Sequence, residues 1–144
     1  MKKLLAFAAS LLLSVSAMAK DPVFSTEQGA IRGYDPVAYF TEGKAVMGDV
    51  GITHSWKGSD WRFASDANRK KFMADPEKYA PAYGGYCAYA VANGYTAATD
   101  PDAWSIVDDR LYLNYSASVK QRWKKNTRDY IRKANENWPA VLSK

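Results

Sequence analysis

Cysteine and histidine each occur once in this sequence, giving it one thiol, at Cys87, and one imidazole, at His54. A cysteine thiolate is both nucleophile and metal ligand, and histidine is the residue type poised near neutral pH. One thiolate and one imidazole suit Cu(I) or zinc if the fold brings them together. They stand 33 residues apart, so spacing alone does not join them. Each also has an ordinary reading: Cys87 as a small buried hydrophobe, His54 as a satisfied core histidine.

The surroundings of Cys87 sharpen the choice. It sits in Tyr83-Gly84-Gly85-Tyr86-Cys87-Ala88-Tyr89-Ala90-Val91-Ala92-Asn93-Gly94. Read as a short helix, the glycine pair forms the leading turn, the alanines favour propagation, and Gly94 caps the C-terminal end. Cys87 then faces unpaired N–H groups, which lowers a thiol's pKa and favours thiolate. Read as a strand, Asn93-Gly94 becomes a hairpin turn and Cys87 a packed hydrophobe. The alanine content favours the helix.

Other chemistries lack their residues. There is no Gly-x-Ser-x-Gly context for a serine triad with His54, no histidine or Cys-x-x-Cys pair for a closed zinc site, and no glycine-rich phosphate loop. Asp100-Pro101-Asp102 and Asp108-Asp109 lack calcium-loop spacing and read as turns or caps.

The elements that must position Cys87 and His54 form two apparent ββα units. His54-Ser55-Trp56, a turn at Lys57 to Asp60, and Trp61-Arg62-Phe63 make an aromatic hairpin, after which Ser65 caps a helix over about 66–73. Trp104 to Val107, an Asp108-Asp109 turn, and Leu111-Tyr112-Leu113 repeat the hairpin, and Ser116 caps a longer helix over about 117–135. Phe72 and Trp123 each lie seven residues beyond their serine, which hints at a duplicated motif. The long helix has an apolar stripe through Val119, Trp123, Tyr130, Ile131 and Ala134. Its basic side (Lys120, Lys124, Lys125, Arg128, Arg132 and Lys133) either meets an anionic partner or, as is more common, water. Before the first hairpin, 20–33 reads as partly extended, 34–40 as a strand or a turn into one, and 41–51 as a loop. The fold class is therefore α+β, one small domain with a long C-terminal amphipathic helix.

The N-terminus carries Lys2 and Lys3, an apolar run from Leu4 to Val15, and Ala17-Met18-Ala19. This is the pattern of a Sec-type signal cleaved after Ala19, leaving a domain over 20–144 in the periplasm. The apolar run is too short to span a bilayer. Cleavage takes the net charge from +5 to +3, since two lysines leave, and removes the case for nucleic acid. A single cysteine means that packing, not disulfides, holds the domain, and nineteen aromatic residues remain to do it.

Several stretches resemble the YHS domain, which is related to TRASH-type metal-binding modules: Asp35-Pro36-Val37, His54-Ser55-Trp56-Lys57-Gly58, Trp61-Arg62-Phe63, Phe72 and Asp75 to Tyr79. Tyr83 to Val91, Asp100-Pro101, Trp104-Ser105-Ile106, Leu111 to Tyr115 and Trp138-Pro139 look like the exported branch of YHS domain-containing (seleno)proteins. Metal-binding members carry cysteines where this chain has Ala38, Ala64 and Asn68, so the thiolate cage is missing. The branch resemblance implies importance for Cys87, at the position selenocysteine occupies in some relatives.

Three functions follow as expectations. The first is a periplasmic protein binding copper, or less favourably zinc, through Cys87 and His54, with Tyr83, Gly85 and Tyr86 as neighbours, for trafficking or buffering. The second is a thiol-dependent redox enzyme working through an exposed Cys87 of lowered pKa, indifferent to His54, with an external thiol to resolve it. The third is a non-catalytic module that holds another envelope protein.

Overall fold

In the computed structural model, which describes residues 19–144, two serine hydroxyls start the helices that follow the hairpins. Oγ of Ser65 accepts from the Asn68 N–H at 3.1 Å, and Oγ of Ser116 from the Val119 N–H at 3.2 Å. Each satisfies one N–H that a helix start leaves unpaired. The signal-peptide reading of residues 1–18 lies outside the described residues.

A two-residue ribbon, β1 (Ser25–Thr26) and β2 (Gly29–Ala30), opens the domain and leads to a short helix, α1 (Ala38–Thr41). The first hairpin pairs β3 (Asp49–Trp56) with β4 (Ser59–Phe63), His54 standing opposite Trp61. The helices α2 (Asp66–Ala74), α3 (Pro76–Tyr79) and α4 (Ala88–Ala92) follow. The second hairpin pairs β5 (Trp104–Val107) with β6 (Arg110–Leu113), and the chain closes with α5 (Ala117–Lys124) and α6 (Thr127–Asn137). The class is α+β, with three separate antiparallel ribbons among the described residues. Both hairpins turn on two residues of positive φ: Lys57 and Gly58 in one, Asp108 and Asp109 in the other. That conformation matches the twist of the flanking strands.

Three expectations need correction. The long C-terminal helix is two helices. Asn126 leaves the helical region at φ −152°, ψ 55°, and α6 starts afresh at Thr127. The break lets Trp123 on α5 and Ala134 on α6 both reach full burial in one cluster. The loop expected over 41–51 gives up its end to β3, which reaches back to Asp49 through an irregularity in register. Residues 34–40 hold no strand beyond an isolated bridge from Tyr34 to Met47, and α1 takes the end of the segment.

The duplicated motif shows in packing. Phe72 is wholly buried, with ring centroids 5.1 Å from Trp61, 5.2 Å from Phe63 and 5.6 Å from Trp56. Trp123, its counterpart, is buried 5.4 Å from the Tyr112 ring. Each unit therefore has its own aromatic centre. β6 is the wall they share, because side chains alternate along a strand. Leu111 and Leu113 belong to the Phe72 cluster, and Tyr112 belongs to the Trp123 cluster.

Asp35 ties the first unit to the segment before it. Its carboxylate is fully buried and accepts from four donors: the N–H groups of Val37 (2.8 Å), Ala38 (3.3 Å) and Ala64 (2.8 Å), and Nδ2 of Asn68 (2.8 Å). Removing it strands the buried N–H groups of Val37 and Ala38, each costing about 1–3 kcal/mol when unpaired, and takes the acceptor from the more exposed Ala64 and Asn68. Asp35→Ala should therefore lower unfolding free energy by about 3 kcal/mol or more. A urea titration checks this, and a loss below about 1 kcal/mol would contradict the assignment.

Candidate functional site

Cys87 is held from both sides by backbone. Its N–H donates to the Ala97 carbonyl at 3.0 Å, and its own carbonyl accepts the Val91 N–H at 3.0 Å as α4 begins. The expected short helix is present, and Gly94 closes it: the Gly94 N–H reaches the Val91 carbonyl and the Tyr95 N–H reaches Ala90. The glycine pair serves a different purpose from a leading turn. Gly84 and Gly85 both have positive φ. A Cβ on Gly84 would collide with the Pro22 carbonyl, and one on Gly85 with the Ile31 side chain. The pair lets the N-terminal segment cross close to the backbone, where Phe24 N–H donates to the Gly84 carbonyl at 2.9 Å.

The sulfur has polar company. Sγ accepts from the Tyr115 N–H at 3.2 Å, and the thiol donates to Oδ1 of Asn114 at 3.5 Å. Asn114 is fully buried, and its Oδ1 also accepts the Tyr89 N–H at 3.0 Å. That bond fixes which end of the amide is oxygen and leaves Nδ2 buried without a protein partner among the described residues.

The expected lowering of the thiol's pKa is overturned. Burial pushes the Cys87 thiol up from its ordinary value, outweighing the N–H groups of Ala90, Tyr115 and Tyr89, which pull it down. α4 has five residues, too short for its dipole to reverse that order. At rest the group is a neutral thiol.

Although only 1% exposed, Cys87 forms part of the wall of a cavity of about 270 Å³. Tyr89, Tyr95, Tyr115 and Arg122 line the same space. Tyr95 and Tyr115 are 49% and 59% exposed. Arg122 lies over the Tyr89 ring at 5.8 Å.

His54 belongs to the other unit. It is half-buried, its ring 6.3 Å from Phe72. Cys87 bonds to the chain just beyond β6, beside the cluster that holds Tyr112, and no hydrogen bond or ring contact joins it to His54. No group of three His, Cys, Asp or Glu side chains gathers for a metal among the described residues. Tyr83 and Tyr86 also have other work: the Tyr83 hydroxyl donates to Oδ1 of Asn135 at 2.9 Å, and that of Tyr86 to the Asp21 carbonyl at 2.8 Å. Burial pushes both phenols up.

Sequence reasoning passed over Asn114, Tyr115, Tyr95 and Arg122. A legible signal existed in Asn114: an amide residue placed directly after the apolar alternation of β6, where a core side chain is due. No family model, curated protein or solved structure matches the chain. Among the described residues no helix is long and apolar enough to cross a membrane.

A raised thiol pKa has two measurable consequences. Alkylation of Cys87 by iodoacetamide should accelerate with pH through a midpoint above about 8.5, the value of an unhindered thiol; a lower midpoint contradicts the geometry. The unfolded chain releases this proton first as pH rises. The thiol's contribution to stability is therefore complete below the ordinary value and declines above it, and Cys87→Ala should remove that part of the alkaline loss.

Proposed function

We propose that this chain is a periplasmic YHS-type domain that has lost its thiolate cage and works through Cys87 as a sheltered single-thiol redox site. The observation that carries this reading is the sulfur itself: deeply buried and accepting the Tyr115 N–H, yet on the wall of a cavity flanked by exposed tyrosines. In the resting state burial keeps it protonated and protects it from indiscriminate oxidants. Once deprotonated, the thiolate has the N–H groups of Tyr115, Tyr89 and Ala90 beside it. Attack on a peroxide would break the O–O bond, leaving Cys87 as sulfenic acid and releasing water or an alcohol. With no second cysteine in the chain, a thiol on another molecule must then displace water and form a mixed disulfide.

The resemblance to YHS modules gains support from the first unit. Ala38, Ala64 and Asn68 stand where the metal-binding members carry cysteines, and all three donate to the carboxylate of Asp35. Positions widely separated in sequence thus meet at one carboxylate, Ala38 and Ala64 through their backbone N–H groups and Asn68 through its side-chain amide. The copper reading through Cys87 and His54 has weaker support, since the two side chains have separate neighbours.

Exposure to hydrogen peroxide followed by a sulfenic-acid trap tests the proposal, alongside elemental analysis of the protein from the periplasm. The wild type should be labelled once while folded, Cys87→Ser should not be, and a small thiol should reverse the oxidation. Labelling only after unfolding would refute the redox role. Stoichiometric copper or zinc lost in both Cys87→Ser and His54→Ala would favour the metal reading instead.

A further inference from the structure

The two aromatic cores do not close fully on each other. A cavity of about 300 Å³ remains at the seam, with Trp56 of the first hairpin on one side and Trp138, just beyond α6, on the other. Each ring is held by its own cluster. Trp56 lies 5.9 Å from the Trp61 ring and 5.6 Å from Phe72; Trp138 lies 6.0 Å from Tyr83 and 6.2 Å from Tyr86. No ring contact joins the two tryptophans to each other among the described residues. Both are half-buried, so part of each indole stays open to solvent. Pro22, Pro139 and Leu142 bring further exposed or half-exposed apolar surface to the same space. The walls are apolar and within reach.

Three charged side chains stand at the cavity: Lys57, Glu77 and Arg110. Two of them answer each other. Nζ of Lys57 lies 3.4 Å from Oε1 of Glu77 and 4.6 Å from the centre of the Trp56 ring. Arg110 opens β6 and is exposed. Although Asp108 and Asp109 precede it in the turn, it forms no ion pair among the described residues. Its charge is felt at the cavity wall: burial pushes the Tyr83 phenol up, and Arg110 pulls the other way. The seam therefore carries one cation in excess.

We propose that this cavity binds a small aromatic carboxylate, its ring between Trp56 and Trp138 and its carboxylate on Arg110. A guanidinium presents a planar fork of donors that matches a carboxylate, and the ligand's charge is the partner Arg110 lacks. Indole walls favour an aromatic ring through offset and edge contacts that an aliphatic chain does not make. Size limits the ligand from above: the cavity is about twice the roughly 150 Å³ that encloses a single benzene ring, and near the lower end for small-molecule sites. It has room for one ring, or a fused pair, with a short acidic arm. The cavity shares no lining residue with that of Cys87, so loss of either function leaves the other untouched.

Nitrogen-15 NMR of the full chain, with the indole N–H resonances of Trp56 and Trp138 assigned through bonds, tests this during titration with phenylacetate at fixed ionic strength. Phenylacetate should move both resonances saturably. Acetate, which lacks the ring, and phenylethylammonium, which reverses the charge, should bind more weakly by about tenfold or more. Arg110→Gln, at an exposed strand position, should weaken phenylacetate by about tenfold or more, and Trp138→Leu several-fold. Arg122→Gln, at the Cys87 cavity, should leave the affinity unchanged. Absence of a phenylacetate response, equal affinity for acetate or phenylethylammonium, or a response that survives Arg110→Gln overturns the proposal. So does equal weakening by Arg122→Gln, which would reduce the effect to general surface charge. If Trp138→Leu does not fold, the ligand series and Arg110→Gln still decide the outcome.

Discussion

The buried carboxylate of Asp35 is the constraint on which the first half of the molecule depends. An ionised group removed from water must be supplied with donors, and here the supply comes from three separate stretches of chain: Val37 and Ala38 beside it, Ala64 after the first hairpin, and Asn68 on α2. Meeting that requirement fixes the hairpin and its helix against the segment that precedes them. The aromatic packing of Phe72, one turn beyond Asn68, then has a defined frame to fill.

The second half solves a different problem with the same plan. Its hairpin and helix also meet at a buried aromatic residue, Trp123, but the polar groups there are less fully matched. Asn114, Ser105 and Trp123 each leave a buried polar atom without a partner among the described residues, while in the first unit only Nε of Arg69 does so. A strand shared between two cores explains how one chain keeps both arrangements: Leu111 and Leu113 serve the saturated side, Tyr112 the unsaturated one.

The same division bears on the chemistry of the lone thiol and the lone imidazole. Burial and amide donors act on the sulfur in opposite directions, and burial prevails. The thiol therefore rests protonated, while His54 packs against Phe72 in the other unit.

Residue order alone set the local elements. Serine caps, two-residue turns and aromatic alternation act within a few residues, so both hairpins, α2, the short helix after Cys87 and its Gly94 cap are legible from residue order. It also exposed the repeat through Phe72 and Trp123, whose spacing from their serines is equal. Tertiary structure decided the rest, because burial and partnership depend on contacts between distant stretches. The break at Asn126 exists so that Trp123 and Ala134 share one cluster; the glycine pair answers to Pro22 and Ile31; the thiol's protonation follows from what covers it. Asn114 and Tyr115 became part of the Cys87 site only when the chain just beyond β6 was laid against the start of α4, a juxtaposition that no local pattern encodes.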